Sequence, residues 1–237
     1  MIISTYQGKR AMRNKWGTLA AVIAVGVLAA GCGSDEGSGG DKNGGLPKAE
    51  KLAADSGARY KEVGVPSMDG MTCDKGDGGF HFGSDLDMLV AGDDGLSEIK
   101  DAGDDKISCF GASRITLSKG GLSATVPNLT TRTTLYDKVA DPAAALHKVF
   151  DHTMHLEKDY GRNPVGSPQS FTTKDVVLKC QQNVADTFPM TTCFWANYGA
   201  IGVVDFFPPH GKHVPLDEAA AKTHQFVTGA LPAPQKH

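Results

Sequence analysis

Apolar positions form three kinds of run along this chain: one continuous stretch near the N-terminus, a series of short β-prone pieces, and two helical stripes. The continuous stretch covers residues 19–30, twelve positions broken only by Gly26. That is the length of a signal-peptide apolar region and too short for a helix across a bilayer core. The β-prone pieces come next, separated by glycine and aspartate turns. They are Phe80-His81-Phe82, Met88-Leu89-Val90, residues 107–110, Ile115-Thr116-Leu117 and residues 122–126. Ser118-Lys119-Gly120-Gly121 reads as a hairpin turn, and the threonine-rich stretch 130–136 as a further strand.

A helical stripe follows. Asp141 supplies a capping carboxylate and Pro142 suits the first helical position. Ala145, Val149, His152 or Met154, and Leu156 continue one face, and Gly161 with Pro164 ends it. The spacing then predicts a loop to Ser170, a strand over 171–181, and one or two strands over 191–207 around Asn197-Tyr198-Gly199. Pro208-Pro209 stops the sheet. A last helix is expected over 216–230, with Ala220, Ala221, His224 and Val227 at helical spacing. A short helix is also expected over 47–55, with Gly57 past its end. Strands, helix, strands, helix predict an α+β fold: an antiparallel sheet packed by two main helices. No internal repeat of fixed period is present.

The ends of the continuous apolar stretch change the picture. Lys9, Arg10, Arg13 and Lys15 precede it, with no acidic residue among the first 31. It closes on Leu28-Ala29-Ala30-Gly31-Cys32, which resembles the lipobox of bacterial lipoproteins, with the leucine four residues before the cysteine rather than three. The resemblance implies cleavage before Cys32, a diacylglyceryl group on its sulfur, and anchoring at the outer face of the cell membrane. Two acyl chains meet the requirement of two signals for stable anchoring. Residues 33–48 hold six glycines and little that is apolar, a flexible tether with a reach of roughly 20–25 Å by coil statistics. The organisation expected is therefore a leader over 1–31, a lipid-anchored linker over 32–57, one exported domain over 58–232 and a tail over 233–237.

The four basic residues of the leader stand against a total charge of −3, so the remaining 206 of the 237 residues carry −7. Nucleic acid is a poor partner for such a chain, because that binding rests on neutralising phosphates. The partners expected are the membrane, through the lipid on Cys32, and a protein or cell-wall component of the envelope. Of five cysteines, Cys32 is assigned to the lipid. Cys73, Cys109, Cys180 and Cys193 remain, an even number in an exported chain, which suggests two disulfides. Three pairings are open; Cys73–Cys109 and Cys180–Cys193 are favoured because each pair lies within one local stretch. No zinc-like cysteine spacing is present.

Cys193-Phe194-Trp195-Ala196-Asn197, Gly202-Val203-Val204 and Leu216-Asp217-Glu218-Ala219-Ala220 resemble a group of uncharacterised exported proteins and lipoproteins of actinobacteria. There a Cys-x-Trp-Ala-Asp strand turns into a Gly-x-Val strand and a closing helix. The resemblance covers about residues 176–228, departs from the group at Asn197, and implies no activity. Cys193 and Trp195 fall on one face of a strand, so the indole is expected beside a disulfide.

Candidate chemistry is thin. His147, Asp151 and His155 share a helical face, but the outer two lie about 12 Å apart along the axis, too far for one ion. His152 and Glu157 are near, and His210 and His213 flank a Gly-Lys loop. Residues 69–105 hold ten aspartates and one glutamate against two lysines. Asp93 and Asp94 there are candidate calcium ligands, without EF-hand spacing. Ser97-Glu98-Ile99-Lys100 matches Ser-x-x-Lys but lacks its partner motifs. No Gly-x-Ser-x-Gly, His-Glu-x-x-His or P-loop occurs. The expectation is a non-catalytic binding domain without a cofactor, the alternative a metal- or solute-binding lipoprotein.

Overall fold

The structure, a computed structural model, describes residues 45–78, 105–119, 122–159, 161–185 and 188–232. Nine strands and two helices follow in chain order. They are β1 Met71–Lys75, β2 Lys106–Gly111, β3 Ile115–Lys119, β4 Leu122–Val126, β5 Leu129–Leu135, α1 Pro142–Asp159, β6 Arg162–Thr172, β7 Val177–Ala185, β8 Phe188–Ala196, β9 Ala200–Phe206 and α2 Leu216–Ala230. Seven strands form one sheet in the order β1-β2-β5-β9-β8-β7-β6, every neighbouring pair antiparallel. β3 and β4 pair as a separate hairpin. The class is α+β, as the pattern predicts.

Period-two alternation sorts the strand residues to two buried faces. Leu178, Cys180, Cys193, Trp195, Ala200, Val204, Leu129 and Ile107 pack with Ala219, Ala220, Phe226, Val227 and Ala230 of α2. Val177, Phe194, Ala196, Ile201 and Val203 point the other way and pack with Leu146, Val149, Phe150 and Met154 of α1. The sheet is thus covered by a helix on each side, and β8 and β9 read as near-continuous apolar runs because both of their faces are buried. Gly202 lies under the Trp195 indole: a Cβ there would meet the ring at 2.5 Å. Further along the α1 face, Ile115 and Val126 of the hairpin cover Ala185, Met190 and Phe207.

The helices start where their sequence asks. Asp141 Oδ1 accepts the N–H of Ala144 at 3.0 Å, with Pro142 first in the helix. α2 carries Asp217 and Glu218 in its first turn, where the helix dipole favours negative charge. Its buried stripe is Ala219, Ala220, Thr223, Phe226, Val227 and Ala230, so Ala221 and His224 sit on its flanks, half-buried.

Several expectations are corrected. The loop expected up to Ser170 is β6, an edge strand of 11 residues with an irregularity between Val165 and Gln169. Its prolines are tolerated because an edge strand leaves one row of backbone groups unpaired. The strand expected over 171–181 is the end of β6 and the start of β7. Between them Thr173 Oγ1 accepts the N–H groups of Asp175 and Val176 and closes a tight turn. β1 had no apolar pattern to announce it. The helix expected over 47–55 is absent. There the Ala49 and Ala53 N–H groups donate to the carbonyls of Thr172 and Lys174, and Leu46 and Leu52 pack against the two core clusters. Residues 46–57 are therefore a strap across the end of the sheet and not part of a free linker. Phe80-His81-Phe82, Met88-Leu89-Val90, Cys32 and the tail over 233–237 lie outside the described residues.

Candidate functional site

Both favoured disulfides are formed. Cys73 and Cys109 are direct partners in the β1–β2 register, as Cys180 and Cys193 are in β7–β8. Their Cα separations of 4.0 and 4.1 Å are those of the narrow, non-hydrogen-bonded antiparallel pair. Trp195 shares the face and the apolar cluster of Cys193, as its spacing predicts.

The histidine face of α1 makes a different contact from a metal site. Lys179 of β7 donates from Nζ to His147 Nδ1 at 3.0 Å and to Asp151 Oδ1 at 3.1 Å. An ammonium can only donate, so the ring proton of a neutral His147 sits on Nε2, which faces Asp151 Oδ2 at 3.1 Å. The same Nζ lies 4.0 Å above the centre of the Phe150 ring. A cation thus already fills the space between His147 and Asp151. His155 is exposed one turn further on, and His210 is exposed in its loop. His213 Nε2 donates to the Asn183 carbonyl at 2.8 Å. Among the described residues no group of three or more His, Cys, Asp or Glu is placed to hold a metal ion. Asp93, Asp94 and the Ser-x-x-Lys match at Ser97 lie outside them.

A polar cluster that sequence reasoning missed is buried on the α1 face of the sheet, between α1 and the β3–β4 hairpin. Thr192 Oγ1 donates to Asp205 Oδ1 at 2.6 Å and accepts from Asn183 Nδ2 at 3.2 Å. Arg162 approaches both, with Nη1 3.5 Å from Asp205 Oδ1 and 3.5 Å from Thr192 Oγ1. The side chains of Arg162 and Asp205 are 6% and 2% exposed. The signal was present in the sequence: Asp205 interrupts the apolar run Ile201-Gly202-Val203-Val204-Asp205-Phe206-Phe207, where a charge needs a partner. The pairing across β6, β7, β8 and β9 supplies it.

The strap is fastened at the opposite end of the sheet. Arg59 holds Asp55 through two hydrogen bonds of 2.9 Å and donates from Nε to the Asp137 carbonyl. The Arg59 guanidinium holds the Asp55 carboxyl below the usual carboxylate range, and Asp55 in turn raises Arg59. Tyr60 accepts from Asn197 Nδ2 at 3.0 Å, and burial pushes its hydroxyl up. Asn197 Oδ1 accepts the Gly199 N–H at 3.0 Å, which shapes the β8–β9 turn. The amide at position 197 thus has a structural task.

A cavity of about 310 Å³ opens where β1, β2, β5 and β9 end. Met71, Leu129, Phe206, Phe207 and Val214 line it with apolar surface, while Asp69, Asn128 and Lys222 bring polar groups to it. Asn128 is held by its backbone to Cys109 and Phe207, and its Oδ1 accepts the Gly111 N–H at 2.7 Å.

Fold and site together define a disulfide-braced, antiparallel α+β domain with a small cavity at one end of its sheet. Compared with known proteins, the chain matches no family model, no curated protein and no solved structure.

Proposed function

We propose that this chain is an extracytoplasmic lipoprotein, anchored to the outer face of the cell membrane by a diacylated Cys32, and that its domain is a non-catalytic binding module for an envelope component. The observation that carries the reading is the cysteine pairing. Four of the five cysteines are joined in two cross-strand disulfides, which form and persist in oxidising compartments. The fifth is Cys32, and it stands at the end of a lipobox-like sequence. Among the described residues no helix is long and apolar enough to cross a membrane. The reading is supported by charged groups that pair with each other: Arg162 with Asp205, Arg59 with Asp55, Lys179 with Asp151.

Cell fractionation tests the anchor. The native chain is expected in the membrane fraction and in the detergent phase after extraction, and the Cys32→Ser chain in the soluble fraction. A Cys32→Ser chain that still partitions with membranes would falsify the anchor.

A further inference from the structure

The two disulfides differ in what can reach them. Cys109, Cys180 and Cys193 are fully buried, while Cys73 is half-buried and flanked on β1 by the exposed Thr72, Asp74 and Lys75. A thiolate exchanges with a disulfide only where it reaches a sulfur, so in the folded domain these four cysteines offer one point of attack, Cys73. β1 is also lightly held apart from its bond. Among the described residues it pairs with β2 alone, and of its five side chains only Met71 and Cys73 are partly buried. The bond closes a sequence separation of 36, so opening it restores the entropy of a long loop to any state in which β1 leaves β2. The same strand is a wall of the cavity. Asp69 and Gly70 lead into β1 and line the space together with Met71, and Gly111 of β2 lines it beside them. Met71 and Gly111 are direct partners in register, two residues from the Cys73–Cys109 pair.

We propose that Cys73–Cys109 is a reversible thiol–disulfide exchange site for a dithiol oxidoreductase, and that its redox state sets whether β1 closes the cavity. One thiolate of the oxidoreductase attacks the Cys73 sulfur. The bond to Cys109 breaks, and Cys109 leaves as a thiolate that takes a proton from solvent. The second thiolate of the oxidoreductase then attacks its partner's sulfur in the mixed disulfide, and Cys73 leaves and is protonated. Cys73 and Cys109 have together gained two electrons and two protons, and the dithiol of the oxidoreductase has lost them and become a disulfide. Cys180–Cys193 takes no part, because both of its residues are fully buried in strands packed by a helix on each face. With the bond open, β1 keeps its ladder to β2 and the packing of Met71, and its excursions carry Asp69, Gly70 and Met71 out of the cavity wall. Oxidising conditions restore the bond and the wall.

This goes beyond the binding role proposed above and stands or falls separately from the anchor. The test uses the purified full chain in detergent, treated with reduced thioredoxin as the dithiol probe and then with oxidised glutathione. Thiol labelling with peptide mapping follows the bonds, and amide hydrogen exchange follows the strands. The expected product has Cys73 and Cys109 labelled and Cys180–Cys193 intact. In it, exchange over residues 69–75 and 106–111 is expected to quicken about a hundredfold or more, the scale of the lost loop constraint, while β7, β8 and β9 keep their protection. Glutathione is expected to reverse both changes. A Cys73→Ser, Cys109→Ser double variant is expected to show the fast exchange without any reductant. Opening of Cys73–Cys109 only together with Cys180–Cys193 overturns the proposal. So does its opening with β1 still protected. Both of these readings come from the native chain, so they do not depend on how the double variant folds.

Discussion

Cys73–Cys109 and Cys180–Cys193 join directly paired residues of neighbouring antiparallel strands, with Cα atoms 4.0 and 4.1 Å apart, in unlike surroundings. Cys180 and Cys193 are fully buried beneath α2, beside Leu178 and Trp195, in strands covered by a helix on each face. Cys73 is half-buried on β1, a five-residue strand that pairs, among the described residues, with β2 alone. Cys180–Cys193 closes a sequence separation of 13 and Cys73–Cys109 one of 36. On the chain-entropy model these contribute about 3 and about 4 kcal/mol. The same covalent element therefore does two jobs. In the centre it fills space in a core that is already held by packing. At the flank it fastens a strand that packing holds weakly, together with one wall of the cavity.

The largest test of that contrast is a pair of truncations. Trp195→Ala is expected to cost about 3–5 kcal/mol, a large fully buried ring lost from a close-packed site. Met71→Ala, on the half-buried edge, is expected to cost about 1 kcal/mol. Urea denaturation measures both, and equal costs would remove the distinction between centre and flank. Next is Arg162→Met. It leaves the Asp205 carboxylate buried without its guanidinium, and removing one partner of such a pair costs about 3–5 kcal/mol. A loss below about 1 kcal/mol would show that the pair contributes little to the centre.

The centre was also the more legible part of the chain. β8 and β9 follow from apolar runs with few interruptions and α2 from helical spacing of its apolar positions, and the Asp141-Pro142 start of α1 from capping chemistry. What was not legible is peripheral or depends on contacts remote in sequence. β1 reads Met-Thr-Cys-Asp-Lys, with too little apolar character to signal a strand, because it is half-exposed. β6 carries two prolines and a glycine that only an edge strand accepts. The segment over 47–55 has local helix signals, overridden by its bonds to the β6–β7 turn. The Arg162–Asp205 pair needs four strands in register before it exists. The cavity likewise draws on six separate stretches of chain, so no local motif announces it.

Of smaller size is the order of reduction. Under a mild reductant in native buffer, alkylation is expected to label Cys73 and Cys109 first, because a thiolate can reach the half-exposed Cys73. Cys180 and Cys193 are expected to react only as the domain unfolds. Simultaneous labelling of all four, followed by peptide mapping, would contradict a difference between the two bonds.

Smallest is the response of the strap to acid. Arg59 depresses the Asp55 carboxyl in the folded state, so the contribution of this pair is present above the unfolded carboxylate value, about pH 3.9. It is lost as the pH falls through the lower folded value. NMR signals of residues 55–60 are expected to shift toward disordered positions in that acid window while those of β7–β9 hold. Asp55→Asn is expected to remove the transition. Loss of strap and centre together at one pH would mean that the strap has no separate stability.

The anchor and the oxidised framework are tested together by the intact mass of the protein extracted from membranes, measured with and without reductant. The account predicts a chain beginning at a diacylated Cys32 that gains two hydrogen atoms for each of the disulfides Cys73–Cys109 and Cys180–Cys193 on reduction. An uncleaved or unacylated chain, or one whose mass reduction leaves unchanged, would contradict it.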